Sequence, residues 1–410
     1  MSGRKWMKQK DTGLIIDRIN AQRKTLFNLL RDLIRIQSYS GQEKEIVEFI
    51  MKVMNHGRFD QVMIDKFGNV IGRIGDGMVK ILYDAHIDTV AVTESENWIY
   101  PPFEGKMKNG KIYGRGAVDE KPAMAGYLIA AGVLKELNIP LPFTLYIVGS
   151  VMEEECDGYP LHHIISEEQI RPDYVLLGEP TDLRVFRGQR GRMEFEIETS
   201  GQSAHGAHNQ KGINAIYKMM PLINEIEKRD KELPYIAPLG KGALTVSQII
   251  SEAPSLCSVP DYCRVHIDRR LTVEETQKTA LAELRKLIDN IQPDARIKIP
   301  EYIGKSWTGY SFKQEAYFPT WITDENHALV NAAMSAAELC GGKTDRSDFW
   351  QFSTNGVATA GRLDIPTIGF APGEEELAHT SHEELILEEL LIATRFYAIL
   401  PFILAQVEDK

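Results

Sequence analysis

The sequence predicts an α/β fold, a mainly parallel sheet interrupted by an inserted ferredoxin-like β-α-β-β-α-β unit. Three observations carry this. Val79–Tyr83, Phe143–Val148 and Tyr174–Leu177 are apolar without alternation, as strands covered on both faces are. Near Arg192 the pattern changes to strict alternation. Near Pro319 the first pattern returns. A chain of 410 residues exceeds one compact core. The expected division is one domain from 1–190 and 305–410, and a second from 191–304.

The elements follow in order. Ser40-Gly41-Gln42-Glu43 has capping-box spacing, and Ile46, Phe49, Ile50 and Val53 share one face, which predicts a helix from Glu43 to about Met54. Gln61–Ile74 reads as strand material broken at Phe67-Gly68-Asn69. Between the runs at Val79 and Phe143 lies a helix from Pro122 to Leu137, with proline in its first turn. In the inserted unit, Met193, Phe195 and Ile197 alternate with Glu194, Glu196 and Glu198. A helix through Ile213–Ile223, strands at Ala243–Ile250 and Cys263–Arg270, a helix through Leu281–Ile288 and a strand at Arg296–Ile299 complete the ferredoxin-like order. A helix through Leu329–Leu339 and a strand near Thr367–Phe370 return to the α/β layer.

Hydrophobic content of 43% and charged content of 26% are ordinary for a globular protein. The net charge of −11 argues against nucleic acid or an anionic membrane as partner. Four scattered cysteines form neither a disulfide framework nor a thiolate metal site. The basic start MSGRKWMKQK is not followed by an apolar segment, and no run of about 18 apolar residues exists. A cytoplasmic protein is expected, with any metal held by His and carboxylate.

Polar residues gather where the apolar runs end. His86 and Asp88 follow the first. Glu153, Glu154 and Glu155 follow the second, and Glu179 the third. Asp119 precedes the Pro122 helix, and His379 and His382 follow the strand near Phe370. Ligands of open α/β sheets bind at the carboxyl ends of the strands. So many carboxylates at one edge would repel unless cations held them. Imidazole with carboxylate suits zinc, or cobalt or manganese. The inventory exceeds one tetrahedral zinc and fits two ions sharing a carboxylate. Each signal alone is poor; their shared position at strand ends makes the case.

The same residues resemble the M20 metallopeptidases, the family of acetylornithine deacetylase, succinyl-diaminopimelate desuccinylase, aminoacylase and carboxypeptidase G. His86-Ile87-Asp88 is similar to its H-x-D signature, and Gly114-Arg115-Gly116-Ala117-Val118-Asp119-Glu120-Lys121 to its G-R-G-x-x-D-x-K segment. Glu153-Glu154-Glu155 stands at its D-E-E, Gly178-Glu179-Pro180-Thr181 at its G-E-P-[ST], and Ser203-Ala204-His205-Gly206 at its lid motif. Ala378-His379-Thr380-Ser381-His382-Glu383 resembles its closing A-H-x-x-x-E. The resemblance runs from about residue 25 to the end. It implies a catalytic domain interrupted by a lid and dimerisation domain, and a homodimer formed through that lid.

The resemblance also implies roles. His86 and Glu179 bind one metal, Asp119 bridges, and Glu155 and His379 bind the second. Asp88 holds the tautomer of His86 from behind. Glu154 is the general base that activates a water between the metals. His205 reaches in from the lid, from the partner subunit, to stabilise the oxyanion. Arg270 clamps the substrate carboxylate, and Asn355, with Trp350 and Arg362, lies in the segment expected to line the pocket. Three alternatives stay open: the triplet slipped by one, with Glu153 as base and Glu154 as ligand; His382 for His379; and Arg269 for Arg270. Cys257 stands near an Asn of related deacylases and reads as a small buried thiol. The implied activity is hydrolysis of the amide bond of an N-acyl amino acid or small peptide. A di- or tripeptidase is the near alternative. A metal- or amino-acid-binding protein without catalysis is the distant one.

Overall fold

The computed structural model describes residues 9–93 and 97–407. Val79–His86 is the middle of the main sheet. It pairs in parallel with Phe143–Ser150 on one side and Tyr174–Leu177 on the other, and Tyr174–Leu177 pairs in parallel with Thr367–Gly369. All but one residue of Val79–His86 are buried, as an unalternating run requires.

The flanks are antiparallel, so the sheet is mixed rather than mainly parallel. Gln61–Ile64 turns back on Val70–Ile74, which pairs antiparallel with Phe143–Ser150. The connection is too short for a crossover. Asp65 closes it by accepting from the Gly68 and Asn69 amides, with Gly68 at φ +113°. On the other flank Arg184–Gln189 runs antiparallel to Thr367–Gly369 and Trp321–Ile322, and parallel to Lys343–Trp350.

Helices cover both faces. Lys121–Leu137, Leu387–Val407 and Ala328–Cys340 pack with the N-terminal helices over one core. Tyr159–Ser166 and Gly356–Leu363 cover the other face over a smaller core that includes Leu161, Ile164, Trp350 and Ala358.

A second sheet has the order Ala243–Glu252, Tyr262–Leu271, Gly191–Ser200, Arg296–Lys298, every pair antiparallel. Helices Ala215–Glu232 and Gln277–Ile291 pack on it around a separate core of Met193, Phe195, Ile197, Leu222, Val265 and Leu284. A hairpin absent from the sequence reading, Glu301–Lys305 with Ser311–Glu315, returns the chain to the first core, where Phe312 and Tyr310 meet the ring of Phe67.

The capping box does not form. The helix is Lys44–His56, without a side-chain cap. Ser40 donates to Asp88 instead (2.7 Å), and Glu43 accepts from the amides of Gly41 and Met152. Both side chains are drawn towards the sheet edge, where buried amides and a carboxylate compete for them.

Candidate metal centre

Three adjacent parallel strands end together. Their ends deliver His86, the turn at Val151–Glu154 and Glu179 to one edge. Asp119 comes from the loop before Lys121–Leu137. That loop turns at Gly116 (φ +82°), where a Cβ would lie 2.8 Å from Lys121 Cδ. Lys121 is fully buried and donates to the carbonyls of Leu33 and Ile36 (3.0 and 2.8 Å). His379 enters from the C-terminal segment with a left-handed backbone, φ +63°.

Asp119 is the centre of the group. Its Oδ1 lies 2.9 Å from His86 Nε2, and its Oδ2 lies 2.9 Å from His379 Nε2. Glu154 Oε2 is 3.2 Å from His379 Nε2. Ligand atoms of His86, Asp119 and Glu154 lie within 4.8 Å of one another, and so do those of His86, Glu120 and Glu179. His86 belongs to both sets. Its Nδ1 donates to the main-chain oxygen of Asp88 (3.0 Å), a tautomer inferred from that contact, which leaves Nε2 free to ligate. The Asp88 carboxylate is 3.6 Å from the ring and does other work: it accepts from Ser40 Oγ and from the amides of Glu153 and Glu154. Asp88 therefore positions both the imidazole and the turn that carries the acidic triplet.

The charges are out of balance. Burial pushes the carboxyls of Glu120, Glu153, Glu154 and Glu179 above their usual range, and neighbouring carboxylates add to the push. Burial opposes ionisation of Asp119 too, but His86 and His379 outweigh it and hold that carboxyl low. For His86, burial is outweighed by Glu120 and Asp119, which raise it well above the ordinary imidazole range. Hydrogen bonds to Asp119 and Glu154 push His379 up to about 10. Glu153 Oε1 is buried without a hydrogen-bond partner. Two imidazoles among five carboxylates, with an orphaned oxygen beside them, are a donor set that fits divalent cations.

Several expectations need correction. Glu155 is exposed and lies outside the group, whereas Glu154 lies within it, beside His86, Asp119 and His379. Met152 takes a left-handed conformation (φ +63°), which ends the strand alternation and turns Glu153 and Glu154 inward. Asn355 lies beneath the cavity, not on its wall. It is 3% exposed, donates to Asp84 and Ser150, and accepts from the Gly158 amide. Trp350 is fully buried, and Arg362 donates to the Tyr317 carbonyl away from the centre. His382 is exposed and makes no contact with Asp119, so the contact falls to His379. Cys257 is exposed, its carbonyl accepting from the Gly206 amide. His205, expected to act on a partner subunit's site, is exposed, accepts at Nδ1 from the Ala207 amide and is not among the residues lining this chain's own cavity, which leaves that expectation standing.

A cavity of about 300 Å³ opens on the centre, lined by His86, Asp119, Glu153, Glu154, Glu179 and His379. The second sheet supplies Arg192 and Arg270 to the same cavity, from positions that face each other across paired strands. Asp268 holds Nε and Nη2 of Arg270 (2.9 and 3.0 Å). Arg269 points the other way, fully buried and paired with Glu275 and Glu283, as alternation demands. Arg192 stacks over Phe318 and pairs with Asp157 and Glu194. Sequence reasoning missed Arg192, Asp157, Glu120, Phe352, Ser353 and Glu375. Only Glu120 had a signal, its place beside Asp119.

No helix among the described residues is long and apolar enough to cross a membrane. A model described as peptidase family M20/M25/M40 matches residues 82–401. "Uncharacterized protein YgeY" of Escherichia coli strain K12 is 42% identical over 388 residues, covering 95% of this chain and 96% of that one. The acetylornithine deacetylase of Buchnera aphidicola is 25% identical over 329 residues, covering 77% and 78%. Among solved structures, the YXEP protein of Bacillus subtilis, described as a dinuclear metal binding peptidase, superposes with a TM-score of 0.71 at 17% identity, covering 94% of this chain and 98% of that one.

Proposed function

The chain belongs to peptidase family M20/M25/M40, and from that premise we propose that it hydrolyses the amide bond of an N-acyl amino acid or small peptide with two divalent cations, zinc in first place. The observation that carries this reading is Asp119, each of whose oxygens meets a different imidazole. His86 and Glu179 would hold one cation and Glu154 and His379 the other, with Asp119 shared. Bound there, the cations would polarise the amide carbonyl and acidify water.

Glu153 is the base in this reading. Glu153 lines the cavity beside the ligands, and its buried Oε1 has no hydrogen-bond partner. That carboxylate takes a proton from the attacking water and returns it to the leaving nitrogen as the C–N bond breaks. Glu154, drawn to His379, is then a ligand. Asp88 positions both through their amides. Arg270, its guanidinium fixed by Asp268, receives the carboxylate of the amino-acid product.

The unit 191–304 serves as lid and dimerisation domain, and 1–190 with 305–410 as the catalytic domain. The exposure of His205 supports its acting on the partner's site in a homodimer, as an oxyanion donor. A panel of N-acetyl and N-succinyl amino acids and dipeptides, assayed with zinc or cobalt for released amino acid, tests the reading. Release from acylated amino acids alone marks a deacylase, and release from dipeptides a dipeptidase. No release from any of them, with two cations bound, would leave a binding protein.

A further inference from the structure

Asp119 can be shared between two cations only if its carboxylate is fixed, and its own contacts do not fix it. Both of its oxygens go to histidines, which the cations would take over. What remains is the backbone. The amides of Val118 and Asp119 both donate to one oxygen, Glu383 Oε1 (2.9 and 3.3 Å). Successive amides turned on one oxygen form an anion-binding nest. Glu383 Oε2 accepts from Arg115 Nη1 (2.8 Å), and the Glu383 carbonyl accepts from the Gly114 amide (3.2 Å). Glu383 is 1% exposed, and Arg115 stacks over Trp98. The loop from Gly114 to Asp119 is thus held at both ends by one residue.

That residue stands four positions after His379. His379 adopts φ +63°, a conformation that costs a non-glycine residue free energy and persists only where its surroundings enforce it. Thr380 anchors the near side by donating to the Leu377 carbonyl. Glu383 anchors the far side.

We propose that Glu383 is a positioning residue: it couples the Asp119 loop to the His379 loop and thereby sets the cation site that these two residues share with Glu154. It touches neither substrate nor cation. The inference rests on the two-cation reading. Removing such an outer partner costs about 10–100-fold in metal affinity. The cation held by His86 and Glu179 depends on Glu383 through Asp119 alone, whereas the other takes both Asp119 and His379 from the two loops that Glu383 joins, so the loss is larger at the second.

The test is cobalt titration of the metal-free full chain, followed by calorimetry and the visible spectrum, with the melting temperature measured on the same samples. In Glu383→Gln the cobalt ion held by Glu154 and His379 is expected to bind about 10–100-fold more weakly, with a smaller loss at the ion held by His86 and Glu179. Arg115→Gln leaves the two amide bonds in place and removes only the counter-charge; a smaller loss at the ion held by Glu154 and His379 is expected. If Glu383→Gln does not fold, Arg115→Gln decides by the same criterion. Parent-like binding of both ions, or equal loss of both in a folded variant, overturns the inference. A parent chain that binds fewer than two ions sinks the two-cation reading, and this inference with it.

Discussion

Glu153→Gln and Glu154→Gln, neighbours in one turn, are expected to fail in different ways. Glu153 Oε1 is buried and has no hydrogen-bond partner, so an amide there removes proton transfer without breaking a bond. A positioned base contributes about 10²–10⁴ in rate, or about 2.7–5.4 kcal/mol of barrier at 1.36 kcal/mol per decade. Glu153→Gln is therefore expected to lose that much in kcat while keeping both cations and its melting temperature. Glu154 Oε2 lies 3.2 Å from His379 and within the set of His86 and Asp119. Removing its charge should weaken one cation by at least the about 10–100-fold that even an outer partner costs. Glu155 is exposed, and Glu155→Gln should stay within about 0.5 kcal/mol of the parent in stability, with parent-like turnover. The assay is kcat and KM on a hydrolysed substrate, with elemental analysis of the same samples. Full metal content with collapsed turnover in Glu154→Gln, beside a near-parent Glu153→Gln, would refute the assignment and restore the motif's other register.

Three further outcomes follow from the contacts. Asn355→Ala strands the buried Gly158 amide and two acceptors, at about 1–3 kcal/mol each. Denaturant unfolding should show a loss of about 3 kcal/mol or more with KM unchanged, and a raised KM at parental stability would return Asn355 to the pocket wall. Arg270→Lys gives up a guanidinium hydrogen bond to a carboxylate, about 1.5–3 kcal/mol, and should lower kcat/KM about 10–150-fold. An amide-capped substrate should lose nothing, and equal loss on both would remove the clamp. Burial, with Asp88 nearby, raises the Glu43 carboxyl to about 8 in the metal-free protein, against 4.5 when unperturbed. A carboxyl raised by folding stabilises fully below the unperturbed value, and that contribution is lost as pH rises through the folded value. Thermal melts of chelated protein should thus show Glu43→Gln gaining on the parent between about pH 5 and 8; a constant or shrinking gap would contradict this.

The middle of the fold was legible because its strands are buried on both faces. Val79–His86 shows no alternation for that reason. The second sheet was legible for the opposite reason, since Met193, Phe195 and Ile197 face a core while Arg192 and Glu196 do not. The antiparallel flanks were less so. Thr367–Gly369 is three residues long, and Lys343–Trp350 is polar with an irregular register. Site residues at strand ends, His86 and Glu179, could be placed by counting. Glu153–Glu155 could not, because the turn at Met152 decides which of three identical side chains faces in. Asn355 and Arg192 show the same limit from two sides. The first has the polarity of a pocket residue yet satisfies buried groups beneath it, and the second reaches the cavity only because two sheets meet there. Ser40 and Glu43 have local capping chemistry that tertiary partners outbid.

The account depends on paired cations sharing Asp119. Anomalous diffraction from crystals grown with zinc, collected on either side of the zinc edge, measures this directly. Two peaks are expected, one beside His86 and Glu179 and one beside Glu154 and His379, each within ligating distance of Asp119. One peak, or two that leave Asp119 unligated, would contradict it.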